Sequence, residues 1–269
     1  MDNRVIGIFD SGLGGLTCAK EVMNLLPREG IVYFGDTGRV PYGSRSPETI
    51  LKYVESDINF LQSFDPKLIV IACGTASSVA LEAMQKKYSV PIMGVVEPAS
   101  AAAVKATKNG RIGVIGTQGT IRSDKYKAEL NRLCPSVTVY SQACPLFVPL
   151  VENGYEGHEA TRLIAEEYLK PLKESEVDTI ILGCTHYPLL YESISDIMEG
   201  KVTLIDSGFE AAKEMKAFLT REDRLSEADG KARFYVSDSV DGFEQLGGRF
   251  LDKDINGMIE KIDIEKYAL

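Results

Sequence analysis

Two cysteines stand at the ends of two similar apolar runs. Leu68-Ile69-Val70-Ile71-Ala72 leads into Cys73-Gly74-Thr75, and Thr179-Ile180-Ile181-Leu182-Gly183 leads into Cys184-Thr185-His186. A buried strand that delivers a thiol into a polar loop, twice in one chain, reads as two half-sites that face each other. Such an arrangement suits chemistry that needs one thiol on each side of a substrate. Backbone N–H groups at such a strand end can lower a thiol pKa. Cys18, Cys134 and Cys144 lack this setting and read as small buried hydrophobes.

The elements that must position these thiols alternate along the chain. Short runs rich in Val and Ile predict strands over 5–9, 31–35, 68–73, 92–95, 111–115, 137–140, 179–182, 202–205 and 233–236. Helical spacing predicts helices over 16–26, 47–62, 77–87, 123–133, 158–172 and 209–219. This alternation predicts an α/β fold of two similar α/β domains with largely parallel sheets and an active site in the cleft between them. The seam is expected near Glu97-Pro98 and the return near Asp206-Ser207-Gly208. Residues 98–207 then form the second domain, and 1–97 plus 208–269 the first. The charged stretch 220–230 reads as an exposed connection.

Four loops follow strands and carry glycines or polar residues: Asp10 to Gly15, Asp36 to Gly43, Cys73 to Ser77, and Cys184 to Pro188. In parallel α/β sheets the ligand crevice lies at the carboxyl ends of the strands, which puts all four on one side. None is a nucleotide motif. Gly12, Gly14 and Gly15 are misspaced for G-x-G-x-x-G, no P-loop lysine follows, and in the glycine-bearing stretch Gly110 to Thr120 the residues Gln118-Gly119-Thr120 supply none either. Hydroxyls and backbone N–H groups suffice to hold a carboxylate instead.

Other chemistries are poorly announced. The two histidines, His158 and His186, form no metal-ligand spacing with the cysteines. No motif marks a Schiff-base lysine with a phosphate cup, so no cofactor is expected. A net charge of -9 without a basic cluster argues against nucleic acid. No apolar stretch approaches the ~20 residues of a membrane span, and the N-terminus lacks a secretory pattern. The cysteines, 5 in number and not closely paired, predict a reducing, cytoplasmic setting.

Phe9-Asp10-Ser11-Gly12-Leu13-Gly14-Gly15, Arg39-Val40-Pro41-Tyr42-Gly43, Ala72-Cys73-Gly74-Thr75-Ala76-Ser77 and Gly183-Cys184-Thr185-His186-Tyr187-Pro188 together resemble the motif set of glutamate racemases, within the aspartate/glutamate racemase superfamily. The resemblance runs from residue 6 to about 250, motifs in order. It implies cofactor-independent interconversion of L- and D-glutamate, which supplies D-glutamate for peptidoglycan. Inverting a stereocentre by proton transfer requires removing a proton from one face of Cα and returning one to the other, hence two bases. The resemblance assigns Cys73 to the proton of D-glutamate and Cys184 to that of L-glutamate. It also puts Asp10 beside Cys73, and His186 with Glu152 beside Cys184. As substrate-binding positions it implies Asp10, Ser11, Tyr42, Gly43, Gly74, Thr75, Thr185 and His186. Dimers are common among relatives, which makes a homodimer one option, but no exposed stripe identifies an interface and the oligomeric state stays open. The alternative is a racemase of aspartate or another acidic amino acid.

One departure stands out. The family usually reads Ala-Cys-Asn-Thr at the first thiol, and this chain has Gly74 in place of the asparagine. From sequence, Gly74→Asn is expected to fold and to retain or tighten glutamate binding.

Overall fold

The computed structural model describes residues 1–268. Its elements run β1 (Ile6–Asp10), α1 (Leu16–Leu25), β2 (Ile31–Gly35), α2 (Pro47–Gln62), β3 (Leu68–Ile71), α3 (Gly74–Lys87), β4 (Ile92–Gly94) and α4 (Val96–Ala106). There follow β5 (Arg111–Gly116), α5 (Gln118–Arg122), α6 (Lys125–Leu133), β6 (Thr138–Ala143), α7 (Phe147–Glu152), α8 (Glu159–Glu174), β7 (Thr179–Leu182), α9 (Tyr191–Ile197) and β8 (Thr203–Asp206). The chain closes with α10 (Ser207–Arg221), β9 (Ala232–Val236), α11 (Val240–Leu251) and β10 (Ile259–Lys261).

Two wholly parallel sheets result, flanked by helices, as the alternation predicts. One has six strands in the order β10-β9-β2-β1-β3-β4, the other four in the order β6-β5-β7-β8. The central strands β1, β3 and β7 are buried along their whole length, which explains why they read as unbroken apolar runs. The second sheet's edge strand β6 carries Thr138, Ser141 and Gln142 and stays half-exposed. Glu97 and Pro98, expected to mark the seam, fall in the first turn of α4, and of the residues expected at the return Asp206 ends β8 and caps α10 while Ser207 and Gly208 open it.

The strand orders fix where a ligand can sit. From β1 the chain steps to β2 on one side and later to β3 on the other, so a crevice opens at the carboxyl ends of β1 and β3. The second sheet repeats this pattern: β6 lies on one side of β5 and β7 on the other. Asp10 and Cys73 lie at the first switch point; Thr117 and Cys184 lie at the second. An apolar core joins the two halves, in which Leu16 and Cys18 of α1 share one cluster with Ile180, Leu182 and Phe147. Separate clusters cover the outer face of each sheet. No helix among the described residues is long and apolar enough to cross a membrane.

Candidate active site

A cavity of about 450 Å³ lies between the two switch points. The first-sheet half lines it with Ser11, Tyr42, Gly43, Cys73, Gly74 and Thr75. The other half lines it with Glu152, Cys184, Thr185 and His186, together with Thr117 and Thr120. The structure thus brings together nearly every residue singled out in the sequence. Asp10 is the exception: it lies beneath the cavity wall and is 1% exposed.

β3 ends at Ile71, and Cys73 is not its last residue but the N-cap of α3. The helix starts at Gly74, three residues earlier than its periodicity suggests, because the sulfur accepts the N–H of Ala76 at 3.5 Å. The thiol in turn donates to Ser11 Oγ at 3.5 Å. Burial pushes the Cys73 thiol up to about 11, the charge of Asp10 adds to this, and the contacts from Ala76 and Ser11 oppose it. Burial therefore outweighs the lowering that the sequence suggested.

Cys184 follows Gly183 at the end of β7. Its sulfur lies 3.9 Å from His186 Nδ1, and His186 Nε2 lies 2.9 Å from Glu152 Oε1, at the end of α7. Nε2 is thus placed to donate to Glu152, and Nδ1 faces the thiol. Burial raises the Cys184 thiol above its ordinary range, the charges of Cys73, Asp10 and Glu152 reinforce this, and the His186 backbone N–H opposes it.

Asp10 is not hydrogen-bonded to Cys73. Its carboxylate accepts from Gly12 N at 3.0 Å and, across the cavity floor, from Thr185 Oγ1 at 3.4 Å. Burial raises its pKa, while His186 and these donors hold it down. Thr17 Oγ1 adds a second link across the halves by donating to the Thr185 carbonyl at 2.9 Å.

The Tyr42 hydroxyl is turned inward. It donates to Asp36 and contacts Asp57 Oδ2 at 3.0 Å, while Arg39 bridges both carboxylates at 2.7 Å. The Arg39 guanidinium also stacks on the Tyr53 ring at 4.4 Å. What Tyr42 and Gly43 can offer a ligand is backbone N–H, free of intrahelical partners at the start of a 3-10 turn over Tyr42–Ser44.

Thr75 Oγ1 lies 2.8 Å from Thr117 Oγ1 and 3.2 Å from Thr120 Oγ1, a hydroxyl cluster shared by the two halves. Sequence reasoning missed Thr117 and Thr120, although their loop was recognised as following a strand; it was tested only as a phosphate motif. No Lys or Arg lines the cavity. Hydroxyls, N–H groups and the amino end of α3 are what it presents to an anion. Among the described residues, no three His, Cys, Asp or Glu side chains gather as a metal site.

Gly74 allows close approach of the two thiol loops. A Cβ there would overlap the carbonyl oxygen of Gly183. The expectation that Gly74→Asn would be accepted is therefore corrected: the space is filled by backbone, which cannot swing aside as a side chain could.

A profile of the Asp/Glu/Hydantoin racemase family matches residues 18–215. The chain belongs to that family. Like its relatives, this racemase is an isomerase. It is 46% identical to the glutamate racemase of Geobacter metallireducens over 97% of both chains. A glutamate racemase isoform of Bacillus anthracis superposes with a TM-score of 0.94 at 40% identity, covering 98% of each chain. The Francisella tularensis glutamate racemase, solved in complex with D-glutamate, superposes with a TM-score of 0.92 at 36% identity over 99% of this racemase and 100% of that chain.

Proposed function

We propose that this racemase interconverts L- and D-glutamate by a two-base reaction in which Cys184 serves the L enantiomer and Cys73 the D enantiomer. The observation that carries this reading is one cavity walled by two buried thiols from opposite halves, each with its own polar partner. For L-glutamate, the Cys184 thiolate removes the Cα proton and the Cys73 thiol returns one to the opposite face. The reverse reaction exchanges the roles, so the pair titrates as a coupled unit.

His186, oriented by Glu152, handles the proton of Cys184; Ser11 accepts the hydrogen bond of the Cys73 thiol, and Asp10, the carboxylate on the Cys73 side, acts from below, where it also orients Thr185. Backbone N–H groups of Tyr42, Gly43 and Gly74 and the hydroxyls of Ser11, Thr75 and Thr185 hold the substrate's carboxylates. The substrate ammonium supplies the positive charge that favours a thiolate in a site where burial disfavours one.

The motif resemblance and the named relatives support glutamate over aspartate. We further infer cofactor-independent action in the cytoplasm, supplying D-glutamate for peptidoglycan and hence for cell-wall biogenesis and cell shape. The division into 1–97 plus 208–269 and 98–207 is supported by the strands each sheet draws together.

The test is solvent deuterium at Cα of L- and D-glutamate, with aspartate run alongside. Exchange with both glutamate enantiomers is expected, and exchange with aspartate alone would move the substrate. Cys73→Ser and Cys184→Ser should each suppress racemisation; full activity in either variant ends the two-base reading.

A further inference from the structure

His186 belongs to the second-sheet half, yet two surfaces that hold its ring come from the first. On one side lies the backbone of Gly14, between β1 and α1, where a Cβ would overlap Nδ1 and Cε1 of the imidazole. On the other lies the ring of Phe250 in α11, with centroids 5.3 Å apart and an interplanar angle of 82°. Phe250 is 2% exposed and shares a buried cluster with Leu13, Leu16 and Cys184. Its neighbour Arg249 pairs with Glu156, in the turn that follows Glu152. Helix α11 is thus fastened both to the imidazole and to the segment that carries the imidazole's carboxylate.

The two ring nitrogens have different partners, so rotation about the His186 Cβ–Cγ bond would replace both with carbon. That torsion is intrinsically broad, and neither the 3.9 Å sulfur contact nor the half-exposed Glu152 restrains it tightly. An aromatic ring packed nearly perpendicular does restrain it. We propose that Phe250 is a positioning residue for the Cys184 half of the reaction, fixing the imidazole so that Nδ1 faces the thiol and Nε2 faces Glu152. This rests on the two-thiol reading above.

The equilibrium between enantiomers is symmetric, so kcat/KM must stay equal in the two directions whatever is mutated. A one-sided lesion shows instead in which proton transfer becomes slow. Phe250→Leu keeps an apolar side chain in the slot but removes the flat ring. It should lower kcat/KM on the order of tenfold, in line with the cost of small misplacements in an active site. The primary deuterium isotope effect on kcat/KM should rise with α-deuterated L-glutamate and fall with α-deuterated D-glutamate. Arg249→Gln, which loosens α11 without entering the core, should act in the same direction more weakly.

The sequence has 2 histidines, and the other, His158, is exposed. Imidazole ¹H–¹⁵N spectra of the whole protein therefore report on His186 with His158 as internal control. In Phe250→Leu the ring-current shift of the His186 ring protons should vanish while the His158 signals stay put. Isotope effects that move together, or unchanged His186 signals, would reduce Phe250 to core packing and overturn the proposal. A wild-type protein that exchanges neither enantiomer would defeat the two-thiol reading, and the imidazole spectra would still decide whether Phe250 holds the ring.

Discussion

Gly74 and Gly183 meet backbone to backbone, the carbonyl oxygen of Gly183 filling the position that a Cβ on residue 74 would take. The two thiol loops are therefore set at a spacing that no side chain at 74 permits. An asparagine there, as the resemblance to glutamate racemases would suggest, needs loops that stand further apart.

It follows that Gly74→Ala and Gly74→Asn should both be harmful. Overpacking of this kind costs about 1–3 kcal/mol of stability. Displacing either thiol should lower kcat/KM on the order of 10- to 100-fold. Thermal unfolding and steady-state kinetics check this, and wild-type values in both would mean that the loops part without cost.

The raised thiols set the pH dependence. With Cys73 pushed up to about 11 and Cys184 also raised, the substrate-free site at neutral pH holds mainly two thiols. Under the proposed two-thiol reaction turnover needs one thiolate, whose fraction grows tenfold per pH unit below the first pKa of the pair. Log kcat/KM should therefore climb with a slope of about +1 between about pH 7 and 9. A flat profile over that range would show that the free enzyme already carries a thiolate. Asp10→Asn removes a charge that raises both thiols, and should move the rise to lower pH.

The Asp36, Arg39, Tyr42 and Asp57 cluster holds two buried carboxylates against one guanidinium. The Tyr42 hydroxyl has one proton and lies within reach of both Asp36 Oδ2 and Asp57 Oδ2, so the two contacts together call for one further proton on the carboxyl pair. Burial raises both carboxyls, and for Asp57, where the charge of Asp36 adds to it, the pKa goes well above the usual range; we place the extra proton on Asp57 as the hypothesis to be tested. Asn reproduces the pattern, with its oxygen accepting from Arg39 and its amide donating to Tyr42. Asp57→Asn should therefore cost less than about 1 kcal/mol at neutral pH, whereas Asp57→Ala leaves an Arg39 N–H without its partner and should cost about 1–3 kcal/mol.

The sign with pH is also fixed. A carboxyl whose folded pKa is raised contributes stability that is fully present below its unfolded pKa near 4 and is lost as pH rises through the folded value. Asp57→Asn removes that loss. Denaturant unfolding should show the variant gaining on wild type from about pH 4 towards 7, and a constant gap would mean that Asp57 folds ionised.

What the sequence made legible follows from burial. The strands before Cys73 and Cys184 are apolar on both faces because both faces are covered, so they stand out as runs. Thr75, Thr185 and His186 were readable because they adjoin the thiols in the chain. Thr117 and Thr120 come close to Thr75 only when the second sheet faces the first, and nothing local marks them. The inward turn of the Tyr42 hydroxyl depends on Asp57, from a helix that shows no sign of serving the site. The region of α11 and β10 was unreadable as elements: Gly247 and Gly248 break the helical pattern, and β10 has only three residues on a sheet edge. Phe250 therefore emerged only once α11 was seen against His186.

The capping role of Cys73 carries one last consequence. Its sulfur holds one of the free amides in the first turn of α3, that of Ala76. A thiolate is a far stronger acceptor than a thiol, and in a two-thiol racemase this atom alternates between the two with every inversion. If the proposed two-thiol reaction holds, the amino end of α3 is tighter whenever Cys73 is the thiolate, and the exchange protection of the Ala76 amide should rise with the population of that form.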